Sequence, residues 1–412
     1  MSVVAIKTPF EESVANAGQG FNLGEVRQAA FDAFQTQGLP HRRLEAWRWT
    51  DLRAALKDAA PLATTRPVEP ATPEGFSDVN PYTIVVEAGD VFWHGDPPAG
   101  VSLSRVTGAP LPTALADHPT ALAAAALTDS ALAIHVEENA TIDLPILIQH
   151  RAVGEQRHAR ICPHLSHNAR LTLIEVFETE AYAFLNATLE AKLDAKSSLN
   201  RIVLQRGVDV GVTSAVGSIA MGEAADLSQA ALYFGGSAIR METNIDLNGP
   251  GAKVSLESAS LLSGARHADA TSIIRHNAVD CEVRQNHRSA VSGAARAVFQ
   301  GKFLVERDAQ KTDAQMNAAA LLLSDEAQAN HKPELEIYAD DVECAHGSTS
   351  GSLDSDALFY LRQRGLNEGQ ARALLIDAFV NETLDGVEND AIANMMRSEI
   401  ARWLELELSN GL

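Results

Sequence analysis

Two hydrophobic periods divide the chain. Toward both ends apolar residues recur every third or fourth position, and between them they recur every second one. Val26, Ala29, Ala30, Ala33 and Phe34 share one face of a helix that Gly38-Leu39-Pro40 brings to a stop. Leu44 to Leu56 continues as a second helix or helical turn, whose Trp47 and Trp49 read as core packing. Ala60 to Pro81 is rich in proline amid Thr, Ser and Gly, the composition of a linker or a loosely wrapped strap. Ile84-Val85-Val86 and Val101-Ser102-Leu103 read as strands, and Ala114 to Leu127 has a helical composition.

From about residue 130 the period changes to two. Leu171 to Phe177 and Val254 to Leu261 alternate apolar with polar, and each follows a small residue at a punctuating turn. The turns form a loose repeat: Asn139-Ala140, Asn168-Ala169, Asp194-Ala195, Ala224-Ala225 and Gly251-Ala252, with the alanines 26 to 30 residues apart. A small residue returning to one corner at that interval is what a β-solenoid requires, with coils stacked as parallel strands. A β-sandwich would instead show the shorter spacing of hairpins.

After Gly351 the helical period returns. Asp354 or Ser355 can cap a helix that ends at Gly365, and Asn367 can cap the next. Ala371, Leu374, Leu375, Ala378 and Phe379 form one apolar stripe, and Ile392, Met395, Met396, Ile400, Trp403 and Leu404 form another. The expected units are therefore a helical region at 1–60, a linker with first strands at 61–130, a solenoid at 131–351 and a helical region at 352–412.

Charge narrows the partners. With 54 acidic against 33 basic residues the net charge is −21, which repels phosphate backbones and argues against nucleic acid. Cys162, Cys281 and Cys344 make no even disulfide set and no Cys-x-x-Cys, so a reducing compartment fits. The first residues lack an apolar signal region and no stretch is greasy enough for a bilayer, so a cytoplasmic location is expected.

Thirteen histidines raise the question of metal. Cys162, His164 and His167 lie within six residues, and His267, His276 and His287 surround Cys281; in both groups ordinary packing or exposure is the leading reading. Arg275, Arg284, His287 and Arg288 read as a locally basic patch for an acidic partner or anionic cofactor. Cys344 and His346 differ. They are two apart at the end of an alternating segment, so in extended backbone both leave the same face. A thiolate beside an imidazole suits zinc, copper or iron in a sulfide cluster.

Around this pair the sequence resembles the SufB/SufD family of iron–sulfur cluster assembly proteins, and within it the SufD branch. The ordered set that carries the resemblance is Gln310-Lys-Thr-Asp313, Leu321-Leu-Leu-Ser-Asp325, Pro333-Glu-Leu-Glu-Ile337, Cys344-Ala-His346-Gly347 and Phe359-Tyr-Leu-Arg362 with Arg364-Gly365. Arg42 to Thr50 adds a second match. The resemblance implies a mainly β fold, a right-handed parallel β-helix flanked by helical ends. It implies pairing with the paralogue SufB, docking of the ATPase SufC on the C-terminal helices, and a nascent cluster at the SufB–SufD interface that His346 and Cys344 help to hold. It also links the complex to reduced flavin, although no flavin motif is present. Asn317-Ala318-Ala319-Ala320 stands where SufB brings its essential cysteine, which favours the SufD branch. No P-loop, nucleophile elbow or zinc-protease helix occurs, so a non-catalytic scaffold is expected. The rivals are a β-helix enzyme acting on polysaccharide, which needs paired carboxylates along an open groove, and a SufB-like scaffold acting as a homo-oligomer.

Overall fold

The computed structural model describes residues 8–20, 24–57, 62, 70–87, 90–207 and 209–409. Much of the proline-rich stretch expected as a linker lies outside them, although Phe76 within it is fully buried. The middle of the chain is a parallel β-solenoid of about 8 coils, so the mainly β expectation holds. Each coil gives one strand to each of two sheets. The first sheet runs from Asp90–Trp93 and Tyr82–Glu87 through Ile146–Val153, Arg170–Glu180, Ser198–Gly207, Asp226–Tyr233, Lys253–Leu262, Glu282–Val291 and Asp313–Leu322 to Glu343–Gly351. The second runs from Val101–Val106 and Ala131–Val136 through Gln156–Leu165, Phe184–Leu193, Val212–Met221, Ala238–Leu247, His267–His276 and Arg296–Val305 to Gln328–Ile337.

The repeating corner shows why small residues recur. Asn139, Asn168, Lys196, Ala224, Gly251, Asp280 and Lys311 all have positive φ. Each donates its backbone N–H to the following coil, onto the carbonyls of His167, Ala195, Glu223, Pro250, Val279, Gln310 and Asp341 in turn. The residue after each one tucks inward: Ala140, Ala169, Ser197, Ala225, Ala252, Cys281 and Thr312. The third repeat is thus shifted from the reading of the sequence. Ser197, fully buried, fills the corner, while Ala195 is only half-buried and supplies a carbonyl acceptor. Asn248-Gly249, a pair common in hairpins, here turns a parallel coil.

In-register parallel strands keep one face inside. Alternate residues such as Leu171, Leu173, Leu199, Val254, Leu256 and Ile245 form the core of the solenoid. The opposite faces are covered by helices. Phe10, Phe34, Trp47, Leu52 and the helix Pro119–Leu127 pack against Phe184, Val212 and Ala238 of the second sheet. Ile376, Val380, Met396, Ile400 and Trp403, from the helices Glu368–Asn381 and Asp390–Ser409, cover Ile174, Ile202, Leu232 and Ala259 of the first. Asp354 and Asn367 cap as expected, the latter in a capping box. The first C-terminal stripe is displaced, however: Ala371, Ile376 and Val380 are buried while Leu374 and Ala378 face outward. Among the described residues no helix is long and apolar enough to cross a membrane.

The shifted corner is testable. Ser197→Leu should lower stability by about 1–3 kcal/mol, because a closed corner has no room for added methylenes. Ala195→Leu should change it by less than about 0.5 kcal/mol. Denaturant midpoints of the two variants give the comparison, and equal losses would contradict the assignment.

Candidate functional site at the open end of the solenoid

The two ends of the solenoid are built differently. At the N-terminal end the outermost strands, Asp90–Trp93 and Val101–Val106, turn antiparallel to their neighbours. There Arg105 stacks over Trp93 with its guanidinium carbon 5.0 Å from the ring centroid, and it bonds Asp90. At the other end Glu343–Gly351 and Gln328–Ile337 are the last strands of their sheets, each parallel to a single neighbour. Their outer backbone edge pairs with nothing among the described residues, and Ile337 and Tyr338 are exposed beside it.

Cys344 and His346 lie on this last coil. Cys344 is in register with Ala314 and His346 with Met316, both fully buried in the solenoid, so the pair continues the inward-facing columns. No coil follows, and His346 is therefore exposed and without a hydrogen bond or ion pair among the described residues. Met316 fills the lumen beneath it, in space left by Gly301, where a Cβ would collide with the thioether. Cys344 is half-buried against Val305, Ala309 and Ala339. Burial first, and then the nearby Asp313 carboxylate, push its thiol above the ordinary range, with the Ala314 backbone opposing. It is thus protonated until a cation displaces the proton.

The structure adds two residues that the sequence did not single out. His331, from the last strand of the second sheet, is in register with Phe299 and also faces inward. Its Nδ1 lies 2.8 Å from Ser348 Oγ, closing the mouth from sheet to sheet one step beyond His346. Its Nε2 is buried without a partner, and desolvation lowers its basicity. Only the fold brings these residues together, since 17 positions separate them. Beneath lies His287, stacked on Phe299 at 5.1 Å and bonded to Ser258 and Ser289.

The other histidine groups dissolve. Cys162 donates to Glu190, and burial raises its thiol to about 12; His167 is an exposed turn residue. His267 meets Thr50 on the outer face of the second sheet, and His276 and His287 lie inside the solenoid, so the packing reading holds. The basic patch does not form. Arg284 pairs with Asp313, Arg288 with Glu382 and Arg275 with Asp246 on the other sheet, while His287 is interior.

A cleft of about 680 Å³ is elsewhere. It lies on the outer face of the second sheet beside Glu45–Trp47 and Thr113–Pro119. Four of its five carboxylates have a partner, Glu242 in Arg240 and His118, Glu45 and Glu334 in Lys332, and Glu336 in Lys302, while Asp117 has no ion pair among the described residues. Trp47 is buried with Arg240 4.1 Å from its ring centroid, leaving no free aromatic face there.

Three interior histidines set an acid limit on the fold. Desolvation lowers His158 and His287 to about 3 and His276 to about 4. They stay neutral when folded and take up protons once unfolded, so stability is retained above about pH 6.5 and falls as pH drops toward 4. Each can lower the folding equilibrium by up to about tenfold per pH unit in that window. His287→Gln should flatten the decline in melting temperature between pH 6.5 and 4, and an unchanged slope would contradict this.

Residues 146–379 match the model of the SUF system FeS cluster assembly, SufBD core domain. The chain is 32% identical over 268 residues to the iron–sulfur cluster assembly protein SufD of Escherichia coli, an alignment spanning 63% of each chain. It is 28% identical to a SufBD family iron–sulfur cluster assembly protein of Synechocystis, over 94% of this chain and 92% of that one. A Mycobacterium tuberculosis SufBD family protein is 26% identical over 96% of both. The core model covers more than half of the chain, and with it the open end and most strands of both sheets: the chain belongs to the SufBD family of iron–sulfur cluster assembly proteins.

Proposed function

We propose that the chain is the SufD-type, non-catalytic scaffold subunit of a cytoplasmic SUF complex. It pairs with SufB through the open end of the solenoid, and the nascent iron–sulfur cluster forms at that junction. The observation that carries this reading is His346: a free imidazole held at the mouth by the last coil, beside Cys344 and an unpaired parallel edge. Here the cluster is cargo. His346 offers a neutral nitrogen to iron and Cys344 offers sulfur once its proton is displaced. Two donors from one chain leave the coordination incomplete, so a partner must supply the rest.

A polysaccharide-active enzyme fits less well. An acid catalyst needs a carboxyl group held above its usual range. In the cleft Glu45 and Glu242 are both shifted down, Glu45 first by its bond to Lys332 and Glu242 by His118 and Arg240 against strong desolvation. Reduced flavin would find no open ring surface in the cleft, where Trp47 is buried beneath Arg240. Against a SufB-like homo-oligomer stands Asn317-Ala318-Ala319-Ala320, on the strand next to Cys344, without a thiol.

In the assembled complex His346→Ala should leave subunit association and melting temperature unchanged, because an exposed side chain carries little stability. Iron and acid-labile sulfide should both fall. Wild-type content of both would remove His346 from the site.

SufC docking is assigned to the outward side of the C-terminal helices, where Leu374 and Leu408 line a groove of about 560 Å³ and Leu406 and Phe359 are exposed. Deleting residues 353–412 is a poor test, since it would also uncover Ile202 and Leu232. Leu374→Asp with Leu408→Asp should abolish co-purification of SufC and preserve that of SufB. Undiminished SufC recovery would overturn the assignment.

A further inference from the structure

Far from the open end, near the antiparallel-capped end of the second sheet, two imidazoles meet on the outer face. His135 and His164 are in-register partners on the parallel strands Ala131–Val136 and Gln156–Leu165. Their ring centroids are 5.2 Å apart and the rings are tilted by 57°. His164 Nε2 lies 2.8 Å from Asp194 Oδ2, and Lys192 Nζ is 2.9 Å from the other oxygen of that carboxylate. The His164 and Asp194 side chains are 38% and 32% exposed, so an ion from solvent reaches them without opening the fold.

We propose that His135 and His164 chelate a divalent first-row transition ion, with Asp194 orienting His164. The carboxylate accepts a hydrogen bond from His164 Nε2–H, which leaves Nδ1 as the lone-pair nitrogen of that tautomer. A metal–nitrogen bond is about 2.0–2.1 Å, so two such bonds are spanned by small side-chain rotations of rings this close. Solvent completes the coordination. Among the described residues no group of three or more His, Cys, Asp or Glu side chains converges on one point. The nearest thiol, Cys162, is committed to Glu190, which Arg160 also holds.

The chemistry fixes the class of ion. Two neutral nitrogens and water suit copper(II), nickel(II) or zinc(II), and not magnesium or calcium, which take oxygen ligands. The ion would tie two consecutive coils together at the end remote from Cys344 and His346, so the proposal stands independently of the cluster reading. A carboxylate behind a ligating histidine typically supports metal affinity by about 10–100-fold.

Zinc chloride is titrated calorimetrically into the full chain carrying Cys344→Ala and His346→Ala, which removes the donors at the open end. One equivalent should bind and raise the melting temperature. His135→Gln and His164→Gln should each weaken binding more than tenfold, and Asp194→Asn should weaken it by about 10–100-fold. His167→Gln, in the adjoining turn, should leave it unchanged, and magnesium chloride should give no heat of binding. Each variant is first melted without metal, so that a lost fold is not counted as a lost ligand. Zinc affinity unaltered in both histidine variants, or equally weakened by His167→Gln, would overturn the proposal.

Discussion

A coil of a solenoid cannot satisfy its own backbone. Within the stack, strand N–H groups and carbonyls bond to the coil before or after, and corner residues such as Asn139, Asn168 and Lys311 bond to the coil that follows. Stacking therefore fixes the register of the core, and it also makes the two ends different in kind from the middle. One end is dealt with inside the chain by antiparallel strands and Arg105. The other is left with inward-facing columns and, among the described residues, no strand above them. Because the columns continue through the last coil, His346 and Cys344 are aimed by the whole stack and not by a loop. Their exposure is a consequence of where stacking stops.

The part of the fold visible in the sequence is the part written as a period. Alternation over Leu171–Phe177 and Val254–Leu261 disclosed parallel strands, and the capping residues Asp354 and Asn367 disclosed helix starts. Corners were legible only while alanine filled them. Ser197, Cys281 and Thr312 do the same work with a polar or sulfur atom, and a search for alanine passes over them. Leu374 misled because its spacing matches the buried stripe, although its side chain lies on the opposite side of the helix from Ile376 and Val380. At the open end the Cys344–His346 pair was readable as a local motif. His331 was not, because its relation to Ser348 exists only after two strands of different sheets reach the same mouth.

The lumen is not uniformly apolar, and its polar residues address a weakness of repeats. Consecutive coils of similar length and composition permit a slip by one coil at little cost in apolar burial. Glu175, Arg201 and Gln229, all at most 5% exposed, break that equivalence: Arg201 bonds Glu175 on one side and Gln229 on the other. Coulombic attraction to Arg201 and the bond from His150 outweigh strong desolvation and keep Glu175 ionised, at about 2. Such a triple contributes little net stability over apolar residues of the same volume, yet leaving one member unpaired is costly. A slip by one coil would set Arg201 at another level of its own column, beside apolar members such as Leu256 and without its carboxylate. We read the triple as a device for register, which explains its place in mid-stack, far from the chemistry.

The same economy of donors bears on the proposed division of labour. A cluster iron is normally held by thiolates, and this chain brings a single half-buried thiol whose environment disfavours the thiolate. His346 adds one nitrogen, and His331 is held back by Ser348 and by desolvation. Three features of this end therefore agree: too few donors for a closed site, an edge with unmet hydrogen bonds, and exposed Ile337 and Tyr338 beside it. An edge of that kind is a ready template for pairing with another strand. A partner that pairs with the edge would at once satisfy the backbone, bury the apolar rim and bring further ligands to the mouth. Binding of the partner and completion of the metal site then become a single event.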